Sequence, residues 1–432
     1  MRVIGGLLSR DPRVAICVHD LAAMTAGTSL ERVRSATSGP IGMLAVDGQH
    51  QLRSERAWLV ADLDLTNLSE LRAQVGGDTA VDVVLSLYER DGLGFVRELH
   101  GAFALALWDR PQRRLVLAVD RFGIGRLYHT TTPTHVAFAS RADGLRAVAG
   151  VDASVDPVSD FLYLNFGYVP GPASIYRGMH RLPAGHLLTV AGGEARTERY
   201  WDLQYTERSI GVMAAATEVY RHTEAAVTRA ISAAPAKETG AFLSGGTDSS
   251  TIVGLMSRLS GEKVSAFSIG FSEERYDELA YAELTARHFG ATHYTQVITP
   301  GDAFELLPGL IEAYDEPFGN DSAIGALICA RLAAECGVTR LIAGDGGDEI
   351  FGGNERYRTD AIFGLYHRLP RLLRHWVIEP TLAAAPEAAG SLVDRARRYV
   401  RRANIPNPHR FYSYEFHFWQ HAEHFLRPEF VA

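Results

Sequence analysis

Residues 240–250 read Gly-Ala-Phe-Leu-Ser-Gly-Gly-Thr-Asp-Ser-Ser and run directly into Thr251-Ile252-Val253-Gly254-Leu255-Met256. An apolar stretch breaks at Ser-Gly-Gly and helix-forming residues follow at once, so the chain must pass from strand to helix within a few residues. Free N–H groups and the positive end of a helix then converge on one point. Such a point suits a phosphate. The common phosphate loop G-x-x-x-x-G-K-[ST] supplies a lysine; this loop has none and carries Asp248, suited to a metal. A bare Ser-Gly-Gly is ordinary turn punctuation, but the full pattern in its strand-and-helix context calls for more.

A second segment has the same build. Leu341-Ile342-Ala343-Gly344-Asp345-Gly346-Gly347-Asp348-Glu349-Ile350-Phe351-Gly352-Gly353 is an apolar strand opening into a glycine-rich acidic turn. Three carboxylates in five residues repel one another unless something positive lies between them. Mg²⁺ on a pyrophosphate fits, because it takes one or two carboxylates plus phosphate oxygens and water, and Asp248 and Asp348 can supply them. Glu349 stands where the third glycine of a dinucleotide fingerprint would be, which weakens that reading.

From about residue 211 onward, periodicity predicts a helix over 211–233. Strands at 241–243, 264–269, 293–297 and 340–343 then alternate with helices at 251–259, 277–288, 302–313 and 322–335. That alternation implies a parallel sheet with helices on both faces, with both acidic loops at carboxyl ends of strands, where ligands bind. Residues 1 to about 195 read as β-rich, with strands at 102–108, 114–119 and 136–139, one helix at 79–88, and a hairpin around Gly192-Gly193. The polar stretch 203–210 reads as a linker. The net charge of −8 argues against a nucleic-acid partner. No apolar run reaches membrane-spanning length and no secretory leader is evident, so a cytoplasmic protein without a membrane partner is expected. Cys17, Cys329 and Cys336 are too few and scattered for a disulfide framework or zinc site; Cys329 and Cys336, seven apart on a helix, are expected in the core.

These loops, with Phe267-Ser268-Ile269-Gly270-Phe271, Asp315-Glu316-Pro317-Phe318-Gly319-Asn320-Asp321-Ser322-Ala323 and Asn354-Glu355-Arg356-Tyr357-Arg358, resemble the class B asparagine synthetases. The N-terminal half shares His100-Gly101-Ala102-Phe103 through Trp108-Asp109, Asp120-Arg121-Phe122-Gly123-Ile124, and Phe166-Gly167-Tyr168-Val169-Pro170 through Arg199-Tyr200-Trp201. The resemblance covers nearly the whole chain. It implies an α/β protein of two domains. Residues 1–202 would form a glutamine amidotransferase type 2-like, Ntn-hydrolase-like α/β/β/α sandwich. Residues 203–432 would form a doubly wound parallel-sheet ATP pyrophosphatase (PP-loop) synthetase domain. The activity implied is ATP-dependent amide formation through an acyl-adenylate. Leu243, Ile269 and Gly344 would contact adenosine; Ser244, Gly245, Gly246, Ser249 and Ser250 would hold pyrophosphate; Asp248 and Asp348 would hold Mg²⁺. Asp345 would be the base, and Glu316, Asp321, Ser322 and Glu349 would shape the substrate pocket. ATP and Mg²⁺ are the implied cofactors. A small-molecule carboxylate or precursor peptide, and ammonia or an amine donor, are the implied partners, with a homodimer left open.

Two departures matter. Family glutaminases begin Met-Cys-Gly, the cysteine using its own α-amine as base; here Arg2 stands in that place. Where the family has Asn-Gly-Glu, Asp62-Leu63-Asp64 aligns, although Asp78 and Thr79 match. The expectation is a glutaminase fold that does not hydrolyse glutamine; a wrongly chosen start codon and a nucleophile elsewhere are the alternatives, and internal Cys17 is a poor substitute. The resemblance also stops near Phe425-Leu426-Arg427-Pro428-Glu429-Phe430, without the family's pyrophosphate-binding lysine, for which Arg356 or Arg358 is a stand-in. A fragment, a short form or a decayed copy is expected. Three readings of function follow: asparagine formation from free ammonia, a macrolactam or β-lactam type ligase whose amine belongs to the substrate (as in lasso-peptide biosynthesis), and a truncated non-catalytic paralogue.

Overall fold

Among the described residues twelve strands build the N-terminal half, the central ones apolar and buried and the last polar and exposed at a sheet edge. They are β1 (Val3–Ser9), β2 (Val33–Ser38), β3 (Ile41–Val46), β4 (Gln49–Gln51), β5 (Ala57–Leu65), β6 (Gly101–Asp109), β7 (Arg114–Val119), β8 (Tyr128–Thr131), β9 (His135–Ala139), β10 (His180–Arg181), β11 (His186–Ala191) and β12 (Glu194–Arg199). The computed structural model describes residues 2–25, 32–52, 55–273, 278–385 and 392–407, together with Arg410, His424, Leu426 and Arg427. The strands form two antiparallel sheets, ordered β10-β8-β9-β1-β3-β2 and β12-β11-β7-β6-β5-β4.

Ile4, Met43, Trp58, Val60, Ala106, Leu117 and Phe138 fill the space between the sheets. Within the first sheet Gly6 of β1 lets the Phe138 ring of neighbouring β9 lie across it: a Cβ there would overlap that ring and the carbonyl of Gly42 on β3. The outer faces are covered by α1 (Val18–Ala22), α2 (Leu68–Val75), α3 (Ala80–Asp91) and α4 (Ala142–Arg146), giving α/β/β/α layers. A further helix, α5 (Pro157–Phe166), follows. The sequence reading expected one helix in this half. It missed α1 and α4 because five residues are too short for helical periodicity to register, missed the eight-residue α2, whose N-cap Asn67 makes no side-chain cap bond, and passed over the Asp156-Pro157 start of α5, where Asp156 caps the Ser159 amide. Asp120 in the Asp-Arg-Phe-Gly-Ile segment is buried, and its carboxylate accepts backbone N–H groups from Phe103, Phe122, Ile124 and Gly125 at 2.7–3.2 Å. It organises a turn.

After residues 203–210, which adopt no regular structure, come α6 (Val212–Ile231), β13 (Thr239–Phe242), α7 (Thr247–Leu259), β14 (Ser265–Phe271), α8 (Leu279–Phe289), β15 (Thr292–Ile298), α9 (Pro300–Ala313), α10 (Ser322–Glu335), β16 (Arg340–Ile342), α11 (Gly347–Phe351) and α12 (Glu355–Tyr366). The four strands pair in parallel in the order β15-β14-β13-β16. Val227, Leu255, Met256 and Ala286 from α6, α7 and α8 pack on one face, and Cys329 and Ala333 of α10 on the other, so the sheet is doubly wound as expected. Cys336, expected in the core, is exposed where α10 ends. Cys329 is buried, which pushes its thiol up to about 11. Among the described residues no helix is long and apolar enough to cross a membrane.

Burial pushes the His129 imidazole of β8 down to about 4, with His180 nearby adding to the effect. The folded chain therefore holds His129 neutral while the unfolded chain protonates it below about 6.5. Stability is present above that value and falls as pH drops from about 6.5 toward 4, by on the order of 3 kcal/mol for this one group. Urea unfolding across that range should show the loss in the native chain and a shallower slope in His129→Gln.

Candidate functional site

The strand order of the parallel sheet reverses between β13 and β16, so the loops that leave these two strands diverge around a cleft at their carboxyl ends. The first loop, Leu243–Gly246, turns into α7. Gly246 (φ −68°, ψ 163°) is the N-cap, which starts the helix at Thr247 rather than at residue 251 and puts Asp248 in its first turn, where its charge complements the helix dipole. Gly245 has φ 82°, and a Cβ there would lie 2.6 Å from the backbone nitrogen of Ala282 on α8. Glycine is demanded at that position on both counts. Within the loop the Ser244 and Ser249 hydroxyls lie 3.0 Å apart, and Ser249 Oγ accepts the Ser244 N–H at 3.2 Å.

The second loop closes on the first. A Cβ at Gly344 would lie 2.9 Å from Asp248 Cβ and 3.0 Å from the Ser249 nitrogen, and one at Gly347 would overlap the Asp248 carboxylate. The glycines of Gly-Asp-Gly-Gly-Asp-Glu thus let its backbone lie against Asp248. A cavity of about 730 Å³ opens there. Leu243, Ser244, Asp248, Ser249, Ile269, Asp321, Ser322, Gly344, Asp345, Asp348 and Glu349 all line it. Among the described residues, Asp248, Asp345, Asp348 and Glu349 have no side-chain hydrogen-bond or ion-pair partner. Four unneutralised carboxylates line this one cavity, but among the described residues no three acidic, histidine or cysteine side chains converge closely enough to hold a metal ion by themselves; a divalent cation there would take one or two of these carboxylates and complete its shell with phosphate oxygens and water.

Other candidates fall elsewhere. Gly245 and Gly246 shape the loop without lining the cavity, and the Ser250 hydroxyl pairs with Thr285 of α8 at 3.0 Å. Arg356 and Arg358 do not line it. Phe425 and residues 428–430, where the resemblance ends, lie outside the described residues. Glu316, expected at the substrate pocket, does not reach this cavity. Its buried carboxylate is held by Tyr128, Ile175 and Arg181 of the N-terminal half, and it borders a second cavity, of about 800 Å³, walled by Tyr163, Tyr176, Tyr314 and Phe318. The two cavities share Asp321 and Ile324.

Sequence reasoning missed the apolar wall formed by Phe242, Phe267, Phe271, Ile298 and Cys329, and also Ser268, which lies on the cavity. The Ser268 hydroxyl bonds to the Leu243 carbonyl and lies 2.7 Å from His293 Nε2, tying three strands together beneath the first loop. A lone serine inside the apolar run Phe267-Ser268-Ile269 was the available signal.

In the N-terminal half, Arg2 stands just before β1 and its guanidinium donates to Asp62 Oδ1 at 3.1 Å. Asp64 pairs with Arg340 of β16 at 2.6 Å. Cys17 is exposed at the start of α1.

Fold and site together define an Ntn-type amidotransferase sandwich joined to a doubly wound nucleotide-hydrolase-type sheet with an acidic, glycine-walled cleft. The family profile described as Asparagine synthase matches residues 218–426, and that described as Glutamine amidotransferase domain matches residues 47–201. A putative asparagine synthetase [glutamine-hydrolyzing] 2 of Methanocaldococcus jannaschii is 30% identical over 81% of this chain and 68% of its own length. Asparagine synthetase [glutamine-hydrolyzing] 1 of Bacillus subtilis is 28% identical over 81% and 57%, and amidase chry2 of Gibberella zeae 25% over 69% and 46%. The chain belongs to the asparagine synthetase family, and it spans about half to two thirds of the length of these relatives.

Gly245→Ala should cost more than Gly261→Ala. Both residues have left-handed φ, 82° and 67°, but nothing lies within 4 Å of a Cβ at Gly261. The expected losses are about 1–2 kcal/mol at Gly261 from backbone strain alone and roughly 1–3 kcal/mol more at Gly245 from overlap with α8; urea titration of the two variants checks the difference.

Proposed function

We propose that the chain is an ATP-dependent amide-forming ligase whose residues 203–432 activate a carboxylate, aspartate or an analogue of it, as an acyl-adenylate. The observation that carries this reading is the meeting of two glycine-rich loops at the switch point of a parallel sheet, with four unpaired carboxylates around one cavity. Leu243, Ile269 and Gly344 take the adenosine, and Ser244, Ser249 and the amides of the first loop hold the pyrophosphate at the N-terminus of α7. Asp248 and Asp348 would hold Mg²⁺, which supplies neutralisation of the charge on the departing pyrophosphate. A carboxylate oxygen of the substrate attacks the α phosphorus and the bond to the β-phosphate oxygen breaks, releasing pyrophosphate. The amine nitrogen then attacks the acyl carbon, AMP leaves, and Asp345 takes the proton the nitrogen loses. Asp321, Ser322 and Glu349 border the acyl group.

Residues 1–202 keep an amidotransferase fold without its glutaminase chemistry. The site that resemblance assigns to glutamine is committed to other contacts: Arg2 to Asp62, and Asp64 to Arg340. A guanidinium cannot add to an amide. This favours ammonia from solution, or an amine carried by a second substrate such as a precursor peptide, as the nitrogen source.

With ATP, Mg²⁺ and a panel of carboxylates offered ammonia, glutamine or a peptide amine, release of AMP and pyrophosphate is the expected outcome, and ADP or no turnover would reject the reading. Asp248→Asn and Asp348→Asn should each lower AMP release by at least about 10²-fold, the usual scale for losing a group that stabilises developing charge, with unchanged circular dichroism. Incubated with glutamine alone, the protein should release no ammonia above the rate of heat-treated protein.

A further inference from the structure

The segment Tyr314–Asp321 grips the N-terminal half through Asp315, Glu316 and Gly319. The Asp315 carboxylate accepts the N–H of Ala142 at the start of α4, while Arg141 donates to the carbonyls of Glu312 and Ala313 at 3.1 Å. Glu316 Oε2 accepts the Tyr128 hydroxyl at 2.6 Å and pairs with the Arg181 guanidinium; Glu316 Oε1 accepts the Ile175 N–H at 2.8 Å. The Gly319 N–H donates to the Gly167 carbonyl at 2.6 Å. Gly167 is the left-handed residue that ends α5, and a Cβ on Gly319 would lie 3.3 Å from its Cα, so the backbones touch. Tyr128 and Arg181 are register partners on β8 and β10, and the guanidinium stands 5.5 Å over the Tyr128 ring. A buried carboxylate is costly unless its oxygens are satisfied; here every donor shown for Glu316 comes from the other half of the chain. Asp321 and Ser322, at the end of this segment, line the nucleotide cavity.

We propose that the N-terminal half acts as a built-in scaffold for the ligase site: Arg181 and Tyr128 hold Glu316, and through it fix the segment that sets Asp321 and Ser322 in the cavity wall. Glu316, Arg181 and Tyr128 are positioning residues. This gives the amidotransferase fold a task that needs no glutamine hydrolysis. The proposal rests on the ligase reading only for what the cavity binds.

Hydrogen–deuterium exchange on the full chain tests it, with Arg181→Met, Arg181→Lys and Glu316→Gln compared with Arg146→Met, which lines the neighbouring cavity without touching Glu316. Arg181→Met and Glu316→Gln should speed exchange in peptides covering 314–321 and Ile175 at least ten-fold while leaving 239–242 unchanged. Arg181→Lys should restore much of the protection, and Arg146→Met should change nothing. In the AMP-release assay the same two variants should raise KM for the carboxylate at least ten-fold and leave affinity for a fluorescent ATP analogue within two-fold. Exchange at 314–321 that stays at the native rate, or that rises equally throughout the chain, overturns the proposal, as does an unchanged KM. If the native protein binds no nucleotide, the ligase reading falls, while the exchange pattern still decides whether Glu316 holds the segment.

Discussion

The close approach of the Gly344–Gly347 backbone to Asp248 is the contact on which the rest of the ligase half depends. A side chain at either glycine would drive the two strand-end loops apart and dissolve the cavity that gathers Leu243, Asp248, Ile269, Asp345 and Asp348 from three strand ends. Everything upstream serves that approach. The reversal of strand order opens the cleft, Gly245 lets the first loop turn tightly onto α8, and Ser268 with His293 braces the strands below. Burial lowers the His293 imidazole below its ordinary range, favouring the neutral ring that shares a hydrogen bond with the serine.

Carboxylates in this molecule divide by what neutralises them. Those of Asp62, Asp64, Glu316 and Asp360 each meet an arginine. That of Asp315 meets a backbone amide, yet burial keeps its carboxyl above the usual range. Those of Asp248, Asp345, Asp348 and Glu349 meet nothing among the described residues. Unpaired acids also lie elsewhere on the surface, but these four are gathered on one cavity, where a cation brought by a ligand would relieve their mutual repulsion.

The two glycine-rich acidic loops were legible in the sequence as strand-end turns because close backbone approach demands glycine, and Gly245, Gly344 and Gly347 meet that need within short runs of consecutive residues. The alternation of β13 through β16 with helices was legible for the same local reason. The role of Glu316 was not. Its partners Tyr128 and Arg181 lie 188 and 135 residues away, and no local pattern encodes such a pairing. Reading Asp315-Glu316-Pro317 as a substrate motif gave no sign that the Glu316 carboxylate is held by the N-terminal half, at the edge of the second cavity. Helices α1 and α4 escaped because each is little more than one turn, and Cys336 was misjudged because it falls at the end of α10, where the helical face no longer dictates burial.

The pairing of Arg2 with Asp62 also bears on how the N-terminal half can change by mutation. A thiol at position 2 would leave Asp62 without its guanidinium, while Asp64 would still be tied across to Arg340. A change at Asp62 would cost one ion pair within the N-terminal half, whereas a change at Asp64 would loosen a bridge between the two halves. Two acids only two positions apart on one strand thus answer to different parts of the chain, and drift can exchange the first more freely than the second.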